Sequence, residues 1–88
     1  MKNKIPPPRQ AIQVKYLPAT NTQGDRLKAF AAAGSITRGR NYGLNVWQQA
    51  YYLAEEFAEI RGWLDGMRLA QGVIKNGDYV FVLVWEKS

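Results

Sequence analysis

Residues 15–29, KYLPATNTQGDRLKA, organise the rest of the chain. They contain the end of one alternating segment, residues 11–17, and the start of a second, residues 26–33. The polar loop between the segments consists of Thr20, Asn21, Thr22, Gln23 and Gly24. Apolar side chains at every second position are typical of half-buried β-strands, so this stretch predicts two strands joined by a loop. The alanines of the second segment also fit a helix.

The outward positions of these two strands are basic. Alternate side chains of an extended chain share a face, which places Lys15, Arg26 and Lys28 on one solvent-facing side with Phe30 beside them. Basic side chains neutralise phosphates and aromatic rings stack on bases, so this combination is typical of a nucleic-acid-binding sheet face. The alternative is that the charges only keep the strands soluble.

A third segment follows an expected turn at residues 34–35. Within residues 36–42, Arg38, Arg40 and Tyr42 occupy alternate positions. If the segment is extended, all three project from one face and add to the basic surface. A flexible loop that carries the arginines is the alternative.

One amphipathic helix is predicted over residues 46–61. Asn45 is a favourable N-cap, Gln48 can complete a capping box, and Gly62 provides a C-terminal stop. The apolar stripe on the helical wheel consists of Val46, Ala50, Leu53, Ala54, Phe57 and Ile60. Burial of this stripe against a sheet is the main expected source of stability, at ~1.5–3 kcal/mol for each large apolar side chain.

The C-terminal residues predict a β-hairpin. Asn76 and Gly77 between two apolar runs are typical of a two-residue turn, in which Lys75 faces Asp78. Residues 79–85, YVFVLVW, are apolar on both faces, as in a central strand of a covered sheet. One helix covers only one face. The other face therefore requires the N-terminal tail, the loops, a second copy of the chain or a partner.

Together these elements predict one α+β domain over residues 11–88, preceded by a basic, proline-rich tail at residues 1–10. The expected fold is an antiparallel sheet of four or five strands in ββ(β)αββ order, with the amphipathic helix packed on one face. No apolar run approaches the length of a membrane span, and cysteine is absent. We therefore expect a soluble, cytoplasmic protein.

The composition removes the commonest catalytic groups. The chain contains neither histidine nor cysteine, which excludes imidazole bases, thiol nucleophiles and the usual transition-metal ligands. Glu55, Glu56 and Glu59 lie on the solvent side of the predicted helix, where a hydrolytic or magnesium site is the alternative to a solvated surface. We expect a protein that is not an enzyme and that requires no cofactor or metal.

Positive charge is concentrated in the N-terminal half. Residues 1–44 contain eight basic side chains and one acidic, whereas residues 45–88 contain four basic and six acidic. The basic half is the expected contact surface for an anionic partner. The candidate binding residues are Lys15, Arg26, Lys28, Phe30, Arg38, Arg40 and Tyr42, with the loop of residues 20–24 as the tip of the surface.

The stretch at residues 15–29 also resembles a group of small uncharacterised proteins of bacteriophages, plasmids and other mobile elements. The similar pattern is Lys-Tyr-Leu at residues 15–17, Thr-Asn at 20–21, Gly24, and Arg-Leu-Lys-Ala at 26–29. The resemblance implies a mobile-element origin, a location in the cytoplasm of a bacterial host cell, and the same order of extended segments, helix and apolar C-terminal strand.

These observations predict an accessory protein that binds nucleic acid or a nucleoprotein complex through its basic strand face. The alternative is an inhibitor of a host defence complex, of the anti-CRISPR type, that acts by protein–protein binding. The apolar second face of the sheet also leads us to expect a homodimer or a protein partner.

Overall fold

The computed structural model describes residues 11–64, 66–75 and 77–85. Its elements are β1 (Ile12–Leu17), β2 (Arg26–Ala31), β3 (Gly34–Gly39), α1 (Val46–Ile60), β4 (Met67–Val73) and β5 (Tyr79–Trp85). The five strands form one antiparallel sheet in the order β3-β2-β1-β5-β4. The predicted α+β fold is confirmed. The predicted tail at residues 1–10 lies outside the described residues.

β1 and β2 pair as the alternating pattern indicates. Val14 lies opposite Ala29 and Lys15 lies opposite Lys28. Val14, Ala29 and the neighbouring Leu27 are fully buried, because they point towards α1, whereas the lysines point away from it. The helix that the alanines of residues 26–33 also allowed does not form.

The turn into β3 lies at residues 32–33 rather than at the predicted residues 34–35. Gly34 is already the first strand residue and lies opposite Ala31. It has a positive φ of 139°, and a Cβ added to it would come within 2.5 Å of Nη2 of Arg61. This position therefore favours glycine because of its positive φ, which residues with a side chain rarely adopt, while the Arg61 guanidinium is the end of a flexible side chain and can move.

The third extended segment ends at Gly39, three residues earlier than predicted. The Gly39 carbonyl accepts a hydrogen bond from Nε2 of Gln49, 2.8 Å away in α1, which turns the backbone towards the helix. Arg40 and Tyr42 therefore do not continue the alternation of β3. The prediction that Arg38, Arg40 and Tyr42 project from one strand face is wrong.

The caps of α1 match the sequence pattern. The Asn45 N–H donates to Oε1 of Gln48 over 2.9 Å, which is one half of the predicted capping box. At the other end Gly62 has a φ of 72°, and its N–H donates to the Glu59 carbonyl over 3.0 Å. A left-handed glycine after the last turn is a common helix stop.

The buried stripe of α1 differs from the predicted one at four positions. Val46 is only partly buried, and Ala58 is fully buried. Ile60 is 58% exposed, and Gln49 is only 7% exposed. The stripe packs mainly on β1, β2 and β5. Its buried residues are Gln49, Ala50, Leu53, Ala54, Phe57 and Ala58.

The C-terminal hairpin has a longer connection than predicted. The Ile74 N–H donates to the Asp78 carbonyl over 3.0 Å, and the Gly77 N–H donates to the Ile74 carbonyl over 2.8 Å. Gly77 has a φ of 91°. This pattern is typical of a three-residue loop with a glycine bulge, whose twist matches that of the strands. Lys75 therefore does not face Asp78, and Asn76 lies outside the described residues.

The longer loop shifts the hairpin register by one residue and exchanges the faces of β4. Val80 lies opposite Gly72, and Phe81 lies opposite Gln71, whereas the two-residue turn placed Phe81 opposite Gly72. A shift of one residue moves every side chain of a strand to the other face. The positions of β4 and β5 that face away from α1 are Arg68, Ala70, Gly72, Val80, Val82 and Val84.

β5 lies between β1 and β4, so it is an interior strand, as its apolar sequence indicates. The helix α1 covers one side of the sheet. We call the opposite side the open face. Within the described residues no other helix or strand covers it.

Candidate nucleic-acid interface

The open face brings together four of the predicted binding residues. Lys15 of β1 lies opposite Lys28 of β2, with Arg26 and Phe30 at the neighbouring outward positions of β2. We call these four residues the cationic patch. It lies on the open face because the residues at the alternate positions of the same strands, Val14, Leu27 and Ala29, are buried in the core.

The two lysines of the cationic patch repel each other. Directly opposite residues of antiparallel strands have Cβ atoms ~4.5–5.5 Å apart, and like charges there are destabilising. Nζ of Lys28 lies 5.7 Å from the centroid of the Phe30 ring, which offsets part of this repulsion. Within the described part of the chain no carboxylate is within salt-bridge distance of either lysine. An anion bound between Lys15 and Lys28 would relieve the repulsion.

The patch has a polar boundary towards β5. Gln13 lies opposite Phe30 on the open face, and its Nε2 donates to Oδ2 of Asp78 over 2.7 Å. Beyond this hydrogen bond the open face changes from basic to apolar, starting at Val80. The open face therefore has a basic half on β1 and β2 and an apolar half on β5 and β4.

Arg38 lies on the other side of the sheet from the cationic patch. It sits opposite Leu27, and its Nη2 is 2.7 Å from Oε2 of Glu56 in α1. Both side chains are exposed, so this ion pair contributes little to stability. An open groove of about 180 Å³ lies between the end of β3 and the helix. Its lining residues are Arg38, Asn41, Leu44, Gln49, Tyr52, Leu53 and Glu56.

Arg40 and Tyr42 occupy a third location, next to Asp25 at the end of the β1–β2 loop. Oδ2 of Asp25 accepts hydrogen bonds from the Tyr16 hydroxyl at 2.5 Å and the Tyr42 hydroxyl at 2.7 Å. The Arg40 guanidinium stacks over the Tyr42 ring, 4.9 Å from its centroid. Tyr42 is held in this position although it is 73% exposed.

The hydrogen bonds of this cluster favour one protonation state. The bond from Tyr16, followed by that from Tyr42, holds the pKa of Asp25 below its ordinary value. The bond to Asp25 in turn raises the pKa of Tyr16 and that of Tyr42. At neutral pH the Asp25 carboxylate is therefore charged and both hydroxyls are protonated. This state preserves the hydrogen bonds that link β1 and the segment after β3 to the end of the β1–β2 loop.

Gln49 is a positioning residue that the sequence prediction missed. Its Oε1 accepts from the Asn41 N–H at 2.8 Å and from Nη1 of Arg40 at 3.1 Å, while its Nε2 donates to the Gly39 carbonyl. One buried amide thus positions the whole segment after β3. A signal exists in the sequence, because Gln49 is four residues before Leu53 and falls within the apolar stripe.

The predicted loop tip is a compact turn. Oγ1 of Thr20 accepts from the N–H groups of Thr22 (3.3 Å) and Gln23 (3.1 Å), and the Thr20 N–H donates to the Gln23 carbonyl. Such side-chain bonds replace ladder bonds in turns. Residues 20–24, Asn21 and Gly24 included, are exposed and precede Asp25, so the loop lies beside Tyr42 rather than over the cationic patch.

In the part of the chain that the structure describes, no group of three histidine, cysteine or carboxylate side chains is placed to hold a metal ion. None of the helices found there is long and apolar enough to cross a membrane. Comparison with known proteins finds no family model that matches the chain, and no curated protein or solved structure with significant similarity to it.

Proposed function

We propose that this protein is a non-catalytic nucleic-acid-binding protein that uses the cationic patch on its open face. The observation that carries the proposal is the direct opposition of Lys15 and Lys28, without a carboxylate of the described residues to neutralise them. Neutralising phosphates is the main source of affinity for nucleic acids. A phosphate bound between Lys15 and Lys28 would relieve the repulsion between these two side chains that is present in the free protein.

The neighbouring residues extend the proposed site. Arg26 and Lys28 are two positions apart on β2, which is ~7 Å along a strand, so they contact different parts of a sugar–phosphate backbone. Phe30 supplies an aromatic ring on the same face for stacking on a base. The patch is part of a sheet surface from which no helix of the described residues protrudes, so we expect single strands to bind more tightly than duplexes.

Fluorescence anisotropy tests the proposal with a labelled single-stranded oligonucleotide, titrated at several salt concentrations. We expect affinity to fall steeply with salt, and the variant Lys15→Gln to reduce the salt slope by ~0.7, because it neutralises one phosphate fewer. Lys75→Gln removes the same charge from the hairpin loop and is the matched control. The proposal fails if the double variant Lys15→Gln, Lys28→Gln binds as tightly as the wild type.

A protein-binding inhibitor of a host defence complex, in a phage or other mobile element, is the second candidate. It is favoured by Tyr42, which is 73% exposed yet held by Asp25 and stacked by Arg40. Rigid tyrosine and arginine side chains are typical anchors of protein interfaces. Under this function, a host complex is retained on the wild-type protein after nuclease treatment of the lysate and is lost with Tyr42→Ala. If the Lys15→Gln variant also retains the host complex, the retention does not depend on the cationic patch, which would distinguish the inhibitor from a nucleic-acid-binding protein.

A further inference from the structure

We propose that two copies of this chain form a dimer by antiparallel pairing of their β4 strands. β4 (Met67–Val73) is an edge strand, and no other described strand pairs with its outer side. The pairing would join two five-stranded sheets about a twofold axis perpendicular to them. Unlike the binding function proposed above, this inference rests on the opposite edge of the sheet from β3, and it does not depend on that function.

The backbone of β4 is suited to such pairing. The Ile74 N–H donates across the hairpin to Asp78, so every second residue before it is directed towards β5. The intervening residues Leu69, Gln71 and Val73 therefore direct their N–H and C=O groups outwards. The strand contains no proline, and its single charged side chain is Arg68. Apart from Arg68, it lacks the proline and charged residues that usually protect an exposed edge.

The side chains next to this edge are apolar and uncovered. Val73 is 66% exposed because α1 packs on β1, β2 and β5 rather than over β4, whereas Val82 is 37% exposed on the open face, and the neighbouring Ile74 is 39% exposed. An open depression of about 350 Å³ runs along this part of the hairpin. Apolar surface at a sheet edge of this kind is typical of an interface.

The sequence of β4 is complementary to itself, which identifies the occupant as a second copy. Full overlap of Met67–Val73 with its copy centres the pairing on Ala70 and places the outward-directed residues in hydrogen-bonded pairs. Arg68 then lies opposite the partner's Gly72, which leaves room for the arginine stem and avoids contact between like charges. Leu69 similarly lies opposite the partner's Gln71.

The charge distribution permits this dimer although each chain carries a net charge of +5. The strand order puts β1, which carries Lys15, two strands away from β4. Lys15 and its copy would be five strand spacings apart, ~24 Å. This is about three Debye lengths at physiological ionic strength, so their repulsion is largely screened. Both open faces would lie on the same side, with a cationic patch on each outer part of the joined sheet.

Sedimentation equilibrium of the full chain over a range of protein concentrations tests the dimer. We expect a mass of about 20 kDa, twice the 10.0 kDa of one chain. Gln71→Pro removes an outward-directed N–H that β5 does not use and should give a folded monomer, whereas Gln71→Ser retains the N–H and should remain a dimer. A wild type that stays monomeric throughout would overturn the proposal.

A second variant keeps the test decisive if the proline variant does not fold. Gly72→Lys places a lysine opposite the partner's Arg68, and a Cβ at Gly72 meets no atom within 4 Å of its own chain. The twofold axis creates this like-charge contact twice, so we expect the dimer dissociation constant to rise roughly tenfold. Gly72→Ser is the neutral control. An unchanged dissociation constant in folded Gly72→Lys would show that the copies meet elsewhere and would refute β4 pairing.

Discussion

Replacement of Gln49 by methionine tests whether one buried amide sets the path of the chain from β3 into α1. Methionine has a similar volume and helix propensity but makes none of the amide's three hydrogen bonds, which join it to Gly39, Asn41 and Arg40. At about 1 kcal/mol net for each of the three bonds, offset by about 1 kcal/mol for the buried apolar side chain, we expect a loss of about 2 kcal/mol. A chain of this length has a total stability of only ~4–13 kcal/mol.

The assay is urea unfolding, followed by far-UV circular dichroism and by tryptophan fluorescence. Glu59→Met is the matched control, because it introduces the same side chain on the exposed side of the same helix, and it should change stability by less than ~0.5 kcal/mol. A Gln49→Met variant that is as stable as this control would refute the reasoning. The segment after β3 would then be held by other contacts, such as the bond from Tyr42 to Asp25.

Two glycines, one core leucine and two titrating groups provide the remaining predictions. Gly34→Ala should lower the free energy of unfolding by ~1–3 kcal/mol, because its φ is positive and an arginine packs against it. Gly39→Ala, with open space at its Cβ, should cost less than ~1 kcal/mol in the same urea assay, and equal losses would contradict the steric reason. Leu53→Asp places a carboxylate at a position only 3% exposed and should abolish folding, so a native circular dichroism spectrum would be the contrary result. The lowered pKa of Asp25 makes its contribution complete above its ordinary pKa of 3.8, and that contribution is lost as the pH falls through the lower folded value. The stability advantage of the wild type over Asp25→Asn, measured by thermal unfolding, should therefore be constant near neutrality and shrink in acid. The raised pKa of Tyr42 has the opposite sign, because its contribution is complete below its ordinary pKa of 10.0 and is lost as the pH rises through the folded value. In a spectrophotometric titration, Tyr42→Phe should remove one tyrosine that ionises above the ordinary range.

The candidate site was predictable where it depends on alternation alone. Lys15 and Lys28 share the open face because the alternate positions of both strands are apolar. Burial of those apolar residues against the helix directs the lysines to the opposite face. The sequence prediction placed Arg38 on the wrong side of the sheet. Alternation shows which residues of a strand share a face, but it does not show which of the two faces packs against the helix. The ion pair with Glu56, eighteen positions later in the chain, shows which face that is.

The hairpin illustrates a second limit of prediction. Asn76 and Gly77 correctly indicated a turn, but a glycine with positive φ fits both a two-residue turn and a three-residue loop with a bulge. The choice between them depends on how β5 is oriented towards β1 and α1. Leu69 is buried opposite the buried Leu83, and the two-residue turn would have placed Leu69 on the open face, so the register of β4 follows from the core and not from the turn.

The order of amino acids by itself determined the local elements of this protein. Alternation marked β1 and β2, and Asn45, Gln48 and Gly62 marked the ends of α1, because these features depend on periodicity and on neighbours a few positions away. The tertiary structure alone decided where β3 ends, which register the hairpin adopts and which basic residues share a face. Those outcomes depend on contacts between residues far apart in sequence, such as that of Asp25 with Tyr42, and no local pattern encodes them.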